Sequence, residues 1–263
     1  MPSSVRSAQD DHDLSRAAVF APLDGSGRAE LVERRLADAI MAGLLQHGER
    51  LPREAELARR FGVATVTARE ALEALRDRGL VRTTRGRDGG SFVTAGGNPD
   101  RAALDERLRQ LSRVDLRDMA TYYRTINAGA AELAADRAAP DDVAELQLLV
   151  ERTGTDDPVA GRRGEGAFHL QLAALSQSPR LVREEVRLQA ECGPLLWRCQ
   201  DDPTARRAGR TAHDGIIKAL DDVDTDRARA LTAAHVDANL DWLVDHKTAL
   251  ETRAAPDREE PPS

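Results

Sequence analysis

The sequence predicts a mostly α-helical chain in two modules, a small N-terminal unit of three helices and a hairpin followed by an all-helical bundle. Three observations predict it. The 263 residues are rich in Ala, Leu, Arg and Glu and hold only 19 Gly, a composition that favours helices. Apolar residues recur at helical spacing along most of the chain, and strand-like runs occur only around residues 80–94. Charge is also divided unevenly. Residues 28–95 carry thirteen Arg against ten Asp and Glu, net +3, whereas residues 96–263 carry 23 basic and 31 acidic residues, net -8. The overall charge of -7 thus conceals a basic module joined to an acidic one, a pattern of two domains with different partners.

Residues 1–27 are polar, rich in Ser and Asp, and without periodicity, and are expected to form a disordered tail. A helix over about 28–45 follows, with Val32, Leu36, Ile40 and Leu44 on one stripe. The sequence GERLP breaks it, and REAELARRF then forms a short helix that buries Leu57, Ala58 and Phe61. After the Gly62-Val63 turn, a third helix over about 65–78 buries Ala68, Ala71, Leu72 and Leu75 and is capped by Gly79. LVRTT and SFVT read as short strands around the Gly-rich RGRDGG.

GGNPDR, residues 96–101, reads as a linker. Beyond it, helices are expected at about 102–113, 115–138, 141–153, 160–177, 180–200, 204–221 and 224–249, divided at Pro140, Pro158, Pro179 and Pro203. The second module therefore spans 102–250, and residues 251–263 are expected to fray. No apolar run approaches the roughly 18 residues of a membrane span, and the N-terminus lacks a secretory signal, so a cytoplasmic location is expected. Cys192 and Cys199 match no zinc or redox spacing and read as reduced packing residues.

Three helices and a two-stranded wing make a winged helix-turn-helix, whose third helix is sized for the major groove of DNA. Its buried stripe leaves Thr65, Val66, Arg69 and Glu73 facing outward, with Thr67 beside them. Arg85 and Arg87 flank Gly86 at the wing tip, where guanidiniums and a bare backbone can approach phosphates. The bland alternative, a helical domain with an incidental Arg-rich turn, does not explain the ordered combination of helices, wing and linker.

The stretch GERLPREAELARRFGVATVTAREALEALRDRGLVRTTRGRDGGSFV resembles the DNA-binding domain of GntR-type bacterial transcription regulators. The resemblance implies homodimers on a short palindromic operator, with DNA contacts from Arg53, Arg69, Arg85, Gly86 and their neighbours. Ala55 stands where that family usually has an arginine, and Ala64-Thr65 stands where it usually has Ser-Arg. The latter change removes a helix cap and a base-reading side chain, so an operator unlike the usual one is expected.

In the second module His169, His213 and His235 fall on the inward faces of three separate helices, and Glu165 lies one turn before His169. Residues at i and i+4 share a face, so Glu165 and His169 can donate to one ion, with two further imidazoles from neighbouring helices. A three-His, one-carboxylate set suits a divalent transition metal, zinc first, with nickel, manganese or iron as alternatives. A hydrogen-bonded core histidine is the ordinary reading of one such residue, and three with a spaced carboxylate favour the metal. His246 lies about 16 Å along the helix axis from His235 and cannot share the ion. His12 and His47 read as solvated.

AELAADRA, EGAFHLQL, HDGIIKAL and AHVDANL are similar, in order, to segments of the FCD domain found in the FadR branch of the same family. That resemblance implies metal ligation by Glu165, His169, His213 and His235, with Glu in place of the usual Asp adding a methylene. It also implies a cavity for a small carboxylate effector, lined by the long helix over 115–138. Tyr123 and Asn127 stand there where Arg and Glu are common, and Arg124 is the nearest cation, with surface exposure as its alternative. The whole reads as a ligand-responsive repressor. Two alternatives are a metal-free regulator responding to an acyl thioester, and a metal-dependent enzyme fused to a DNA-binding module. No general base or nucleophile in a recognised motif accompanies the histidines to support the enzyme.

Overall fold

The computed structural model describes residues 19–20, 27–86, 89–94, 101–153 and 157–254. The chain opens with α1 (Arg28–Met41), α2 (Glu54–Phe61) and α3 (Thr65–Asp77), followed by β1 (Val81–Thr84) and β2 (Gly90–Val93). The second module comprises α4 (Arg101–Gln110), α5 (Arg113–Arg137), α6 (Pro140–Thr153), α7 (Pro158–Leu175), α8 (Pro179–Glu191), the one-turn α9 (Gly193–Leu196), a 3-10 turn (Trp197–Asp201), α10 (Pro203–Asp221) and α11 (Thr225–Ala254).

In the first module the expected stripes form the core. Val32, Leu36 and Ile40 of α1 meet Leu57, Phe61, Leu72 and Leu75 of α2 and α3, all nearly inaccessible to water. The hairpin is antiparallel, Val81 pairing with Val93 and Thr84 with Gly90. GERLP does more than end a helix. Arg50 bridges Phe92, and the Leu51 N–H donates to the Ser91 carbonyl at 2.9 Å, so the loop adds a short third edge to the wing. The first helix ends at Met41 rather than near 45, because the chain turns at Gly43 to bring Leu44 and Leu45 into the core.

Four other expectations are corrected. Val19 and Phe20, assigned to a disordered tail, are buried, and the Phe20 ring lies 5.6 Å from that of Phe61. Two large apolar side chains within a polar segment suffice to anchor it. The helix expected over 180–200 is three pieces, since Pro194 lacks an N–H and its ring obstructs the preceding turn. The last helix continues to Ala254, beyond the expected 249. Cys192 and Cys199 are free and buried as expected, but not on one helix, Cys192 lying between α8 and α9 and Cys199 in the 3-10 turn. Residues 1–18 of the tail, most of the linker and residues 255–263 lie outside the described residues.

The bundle is organised around α5 and α11, which pack along each other, with α10 against α11 and α6, α7 and α8 closing the other sides. Asp201 accepts from Arg162, Arg198 and Arg101, which pins the 3-10 turn to α7 and α4. The two modules are in contact. α1 packs on α8, and Leu170 and Val186 of the bundle belong to the apolar cluster of the winged helix.

Candidate metal and DNA sites

Three helices converge inside the bundle. α7 supplies Glu165 and His169, α10 supplies His213 and α11 supplies His235, all buried, with one ligand atom of each lying within 4.8 Å of the others. Glu165 Oε1 is 2.5 Å from His235 Nε2 and 3.6 Å from His169 Nε2, and Oε2 is 3.6 Å from His213 Nε2. The extra methylene of glutamate therefore still brings its carboxylate to the point where the imidazoles meet. The His213 and His235 Nε2 atoms are 3.3 Å apart. Phe168 stacks on His213 at 3.8 Å between ring centroids and fixes its plane.

The surroundings orient the cluster. Gln200 Nε2 donates to Glu165 Oε2 at 2.9 Å, and Asn239 Nδ2 donates to Glu165 Oε1 at 3.2 Å. The Cys199 thiol in turn donates to Asn239 Oδ1 at 3.3 Å. Burial works to raise the Glu165 carboxyl, but the attraction of His235 and His213, helped by the nearby His169 at 3.6 Å, holds it well below the usual carboxylate range. Burial pushes His169 and His213 below the ordinary histidine range, partly offset by Glu165. Both shifts favour the unprotonated imidazole, the form that offers a lone pair.

His169 tests whether the cluster fits a metal. It is fully buried, and neither ring nitrogen has a hydrogen-bond partner among the described residues. An unsatisfied buried polar group is costly and uncommon, and a metal bond would satisfy it. Donors around one ion with bonds of about 2.1 Å stand roughly 3–4 Å apart, close to the spacings here. The residues fit.

The three residues expected to meet an effector separate. Tyr123 and Asn127 are buried beside the cluster, Tyr123 edge-on to His169 at 5.5 Å. They are tied to α8, Asn127 Nδ2 donating to Glu185 Oε2 at 2.8 Å and Gln189 Nε2 to the Tyr123 hydroxyl at 3.0 Å. Arg124, one residue and about 100° further round, lies half-exposed and pairs with Asp237 at 3.0 Å. Sequence reasoning missed Gln200, Glu185, Asn239 and an arginine-lined cavity described below. Asn239 had a signal, since it follows His235 at the same i, i+4 spacing that links Glu165 to His169. His246 bonds Asp105 at 3.0 Å, apart from the cluster as expected.

In the winged helix, Thr65, Val66 and Arg69 are exposed on the outer face of α3, with Thr67 partly so. Ala64 occupies the N-cap without a side-chain bond, as its loss of a hydroxyl requires. Arg69 Nε pairs with Glu54 Oε2 at 3.0 Å, and Arg53 is exposed at the N-cap of α2. Arg85 is exposed at the wing tip beside Gly86, whose φ of 114° excludes most side chains. Arg87 lies outside the described residues.

A winged helix packed on an all-helical domain of this kind defines a transcription regulator rather than an enzyme. Residues 28–93 match the bacterial regulatory proteins of the gntR family, and residues 118–238 match the FCD domain. A putative HTH-type transcriptional regulator, RmpR of Mycobacterium gastri, is 35% identical over 238 residues, covering 89% of this chain and 87% of that protein. The putative L-lactate dehydrogenase operon regulatory protein of Escherichia coli is 28% identical over 223 residues, covering 78% and 85%. The solved E. coli McbR/YncC is 21% identical, covers 84% of this chain and 99% of its own, and has a TM-score of 0.49. This chain belongs to the gntR family and carries an FCD domain. Among the described residues, no helix is long and apolar enough to cross a membrane.

Proposed function

We propose that this protein is a cytoplasmic, ligand-responsive repressor of the FadR branch. Residues 28–95 read a palindromic operator as a homodimer, and residues 102–250 bind a metal ion and a small organic acid. The observation that carries the reading is the convergence of Glu165, His169, His213 and His235 around one point, with both nitrogens of the buried His169 making no hydrogen bond among the described residues. These four side chains would hold a divalent transition metal, zinc being favoured by a nitrogen-rich donor set. When bound, the ion supplies a positive, Lewis-acidic position for an effector oxygen.

Arg53, Thr65, Val66, Thr67, Arg69, Arg85 and Gly86 form the DNA-contacting set, exposed wholly or in part on α2, α3 and the wing. A relative named for an L-lactate dehydrogenase operon supports a small acid as the effector. The cavity beside the cluster, about 140 Å³, disfavours a long acyl thioester. Effector binding would alter operator affinity through its preference for one arrangement of the paired winged helices. Metal analysis of the purified protein and of His213→Ala, with operator affinity measured before and after chelation, tests the reading. Bound metal lost in the variant supports it, and absence of metal from both refutes the site.

A further inference from the structure

A second charged feature adjoins the four-ligand cluster. α10 begins Pro203-Thr204-Ala205-Arg206-Arg207-Ala208-Gly209-Arg210, with no acidic residue in its first turn. Arg206 and Arg207 therefore stand just past the first turn, near the positive end of the helix dipole, with Arg210 a turn further along. The N-cap, Asp202, supplies one negative charge that also attracts Arg207, and its carboxylate is engaged by the Thr204 and Ala205 N–H groups and by Trp242 Nε1. Among the described residues, Arg206 donates to the Gln200 carbonyl at 2.5 Å and Arg207 to the Thr204 hydroxyl at 3.3 Å, both neutral acceptors.

These arginines share a face with a member of the cluster. Arg206, Arg210 and His213 follow at i, i+4 and i+7 on one face of α10, and Arg207 stands about 100° round at the edge of that face. All four line one cavity of about 140 Å³, together with Glu165. Arg207 and Arg210 are exposed at its rim, whereas Glu165 and His213 are buried at its inner end. The opposite wall needs glycine. A Cβ on Gly164 would stand 2.6 Å from the Thr153 side chain, so packing of α7 on α6 keeps this wall bare. The other side of the cluster is closed by Tyr123, Asn127, Glu185 and Gln189, where a carboxylate already occupies the polar centre.

We propose that this cavity is the effector site and that Arg206, Arg207 and Arg210 receive the phosphate of a small phosphorylated metabolite. Its other end, bearing a hydroxyl or carboxylate oxygen, faces Glu165 and His213. This rests on the ligand-sensing reading above and replaces Arg124 as the anion partner. A lone carboxylate is satisfied by one bidentate arginine, whereas a phosphate dianion presents three acceptor oxygens and suits several guanidiniums. Helix rise sets the ligand length, since His213 lies about 4.5 Å along the axis from Arg210 and about 10 Å from Arg206. The cavity, about 140 Å³, is small and opens at the arginine rim. A phosphate monoester of three to four carbons matches both limits.

The test uses the metal-loaded, full-length protein titrated calorimetrically with glycerol 3-phosphate, 3-phosphoglycerate and erythrose 4-phosphate, with glycerol and glycerate as unphosphorylated controls. At least one phosphate ester is expected to bind at least tenfold more tightly than its control. Arg206→Gln/Arg207→Gln and, separately, Arg207→Gln/Arg210→Gln are expected to remove at least tenfold of that affinity. The second pair keeps Arg206 on the Gln200 carbonyl and so guards against a merely unfolded turn. Phosphate esters that bind no better than the controls, or equally well to both variants, overturn the proposal. Metal content and operator affinity are read in parallel. A protein that holds metal and releases operator with glycerate, yet ignores phosphates, retains the sensing reading and sinks this one. A protein without metal and without any response sinks both.

Discussion

Glu165 Oε1 lies 2.5 Å from His235 Nε2, although 70 positions separate the two residues. Neither would be stable there alone, since a buried carboxylate or imidazole needs a partner. Glu165→Gln keeps the shape and removes the charge, and is expected to lower zinc affinity at least tenfold in competition with a chromophoric chelator. Asn239→Ala leaves all four ligands in place but frees one oxygen of Glu165, and should cost 10- to 100-fold, the usual range for a residue that orients a ligand. Unchanged affinity in both variants would show that the carboxylate takes no part.

Asp38 links pH to the contact between modules. It sits on α1 near Arg187 and Glu191 of α8, and burial pushes its carboxyl up to about 6, against the opposing pull of Arg34, Arg187 and Arg78. An acid whose folded value is raised holds its proton better when folded. Its stabilising effect is full below the unfolded value of 3.8 and is lost as pH rises through about 6. Asp38→Asn should therefore melt with the wild type at pH 4 and above it at pH 7. Discounted for partial exposure, the gap is about 1 kcal/mol, or a few degrees. A pH-independent difference would mean that Asp38 does not titrate in this way.

What was legible in the sequence follows from what acts locally. Helical stripes such as Ala68, Ala71, Leu72 and Leu75 had one buried face to find, and proline starts such as Pro179 and Pro203 fixed α8 and α10. The four ligands were legible because their types are rare in a core and their spacing repeats a helical turn. Pro194 was overlooked, and with it the turn that carries Gln200 to Glu165. Glu185 and Gln189 could not be assigned, because α8 is amphipathic and only its neighbours decide which polar residues face inward. The arginines of α10 were legible as a stripe ending in His213, but only the cavity beside them distinguishes a binding wall from a solvated face.

α8 joins the cluster to the DNA-reading module. Glu185 and Gln189 hold Asn127 and Tyr123 beside His169, while Val186, buried at 4% exposure, packs into the core of the winged helix. A shift of α8 on metal binding would thus reach α1 directly. Val186→Ala should leave metal content unchanged but shrink the ratio of operator affinities for metal-loaded and chelated protein. A coupling of this kind is typically worth 1–3 kcal/mol, and losing a third of it is measurable by fluorescence anisotropy. If the ratio stays the same, coupling does not pass through this contact.

Arg69 and Arg85, on the recognition helix and the wing, should differ in kind. Arg69 is held at the outer face of α3 by Glu54, with Thr65 and Val66 exposed one turn earlier, a position suited to base edges. Arg85 is exposed on the wing beside Gly86, a position suited to backbone phosphate. Arg69→Ala is expected to cost about 1–3 kcal/mol on the selected operator and to relax discrimination at one base pair of each half-site. Arg85→Ala should weaken all sequences alike and reduce the salt dependence by about one unit of slope per protomer. Selection from random DNA, followed by titrations at several salt concentrations, separates the two. Equal loss of sequence discrimination in both variants would show that the wing reads bases as well.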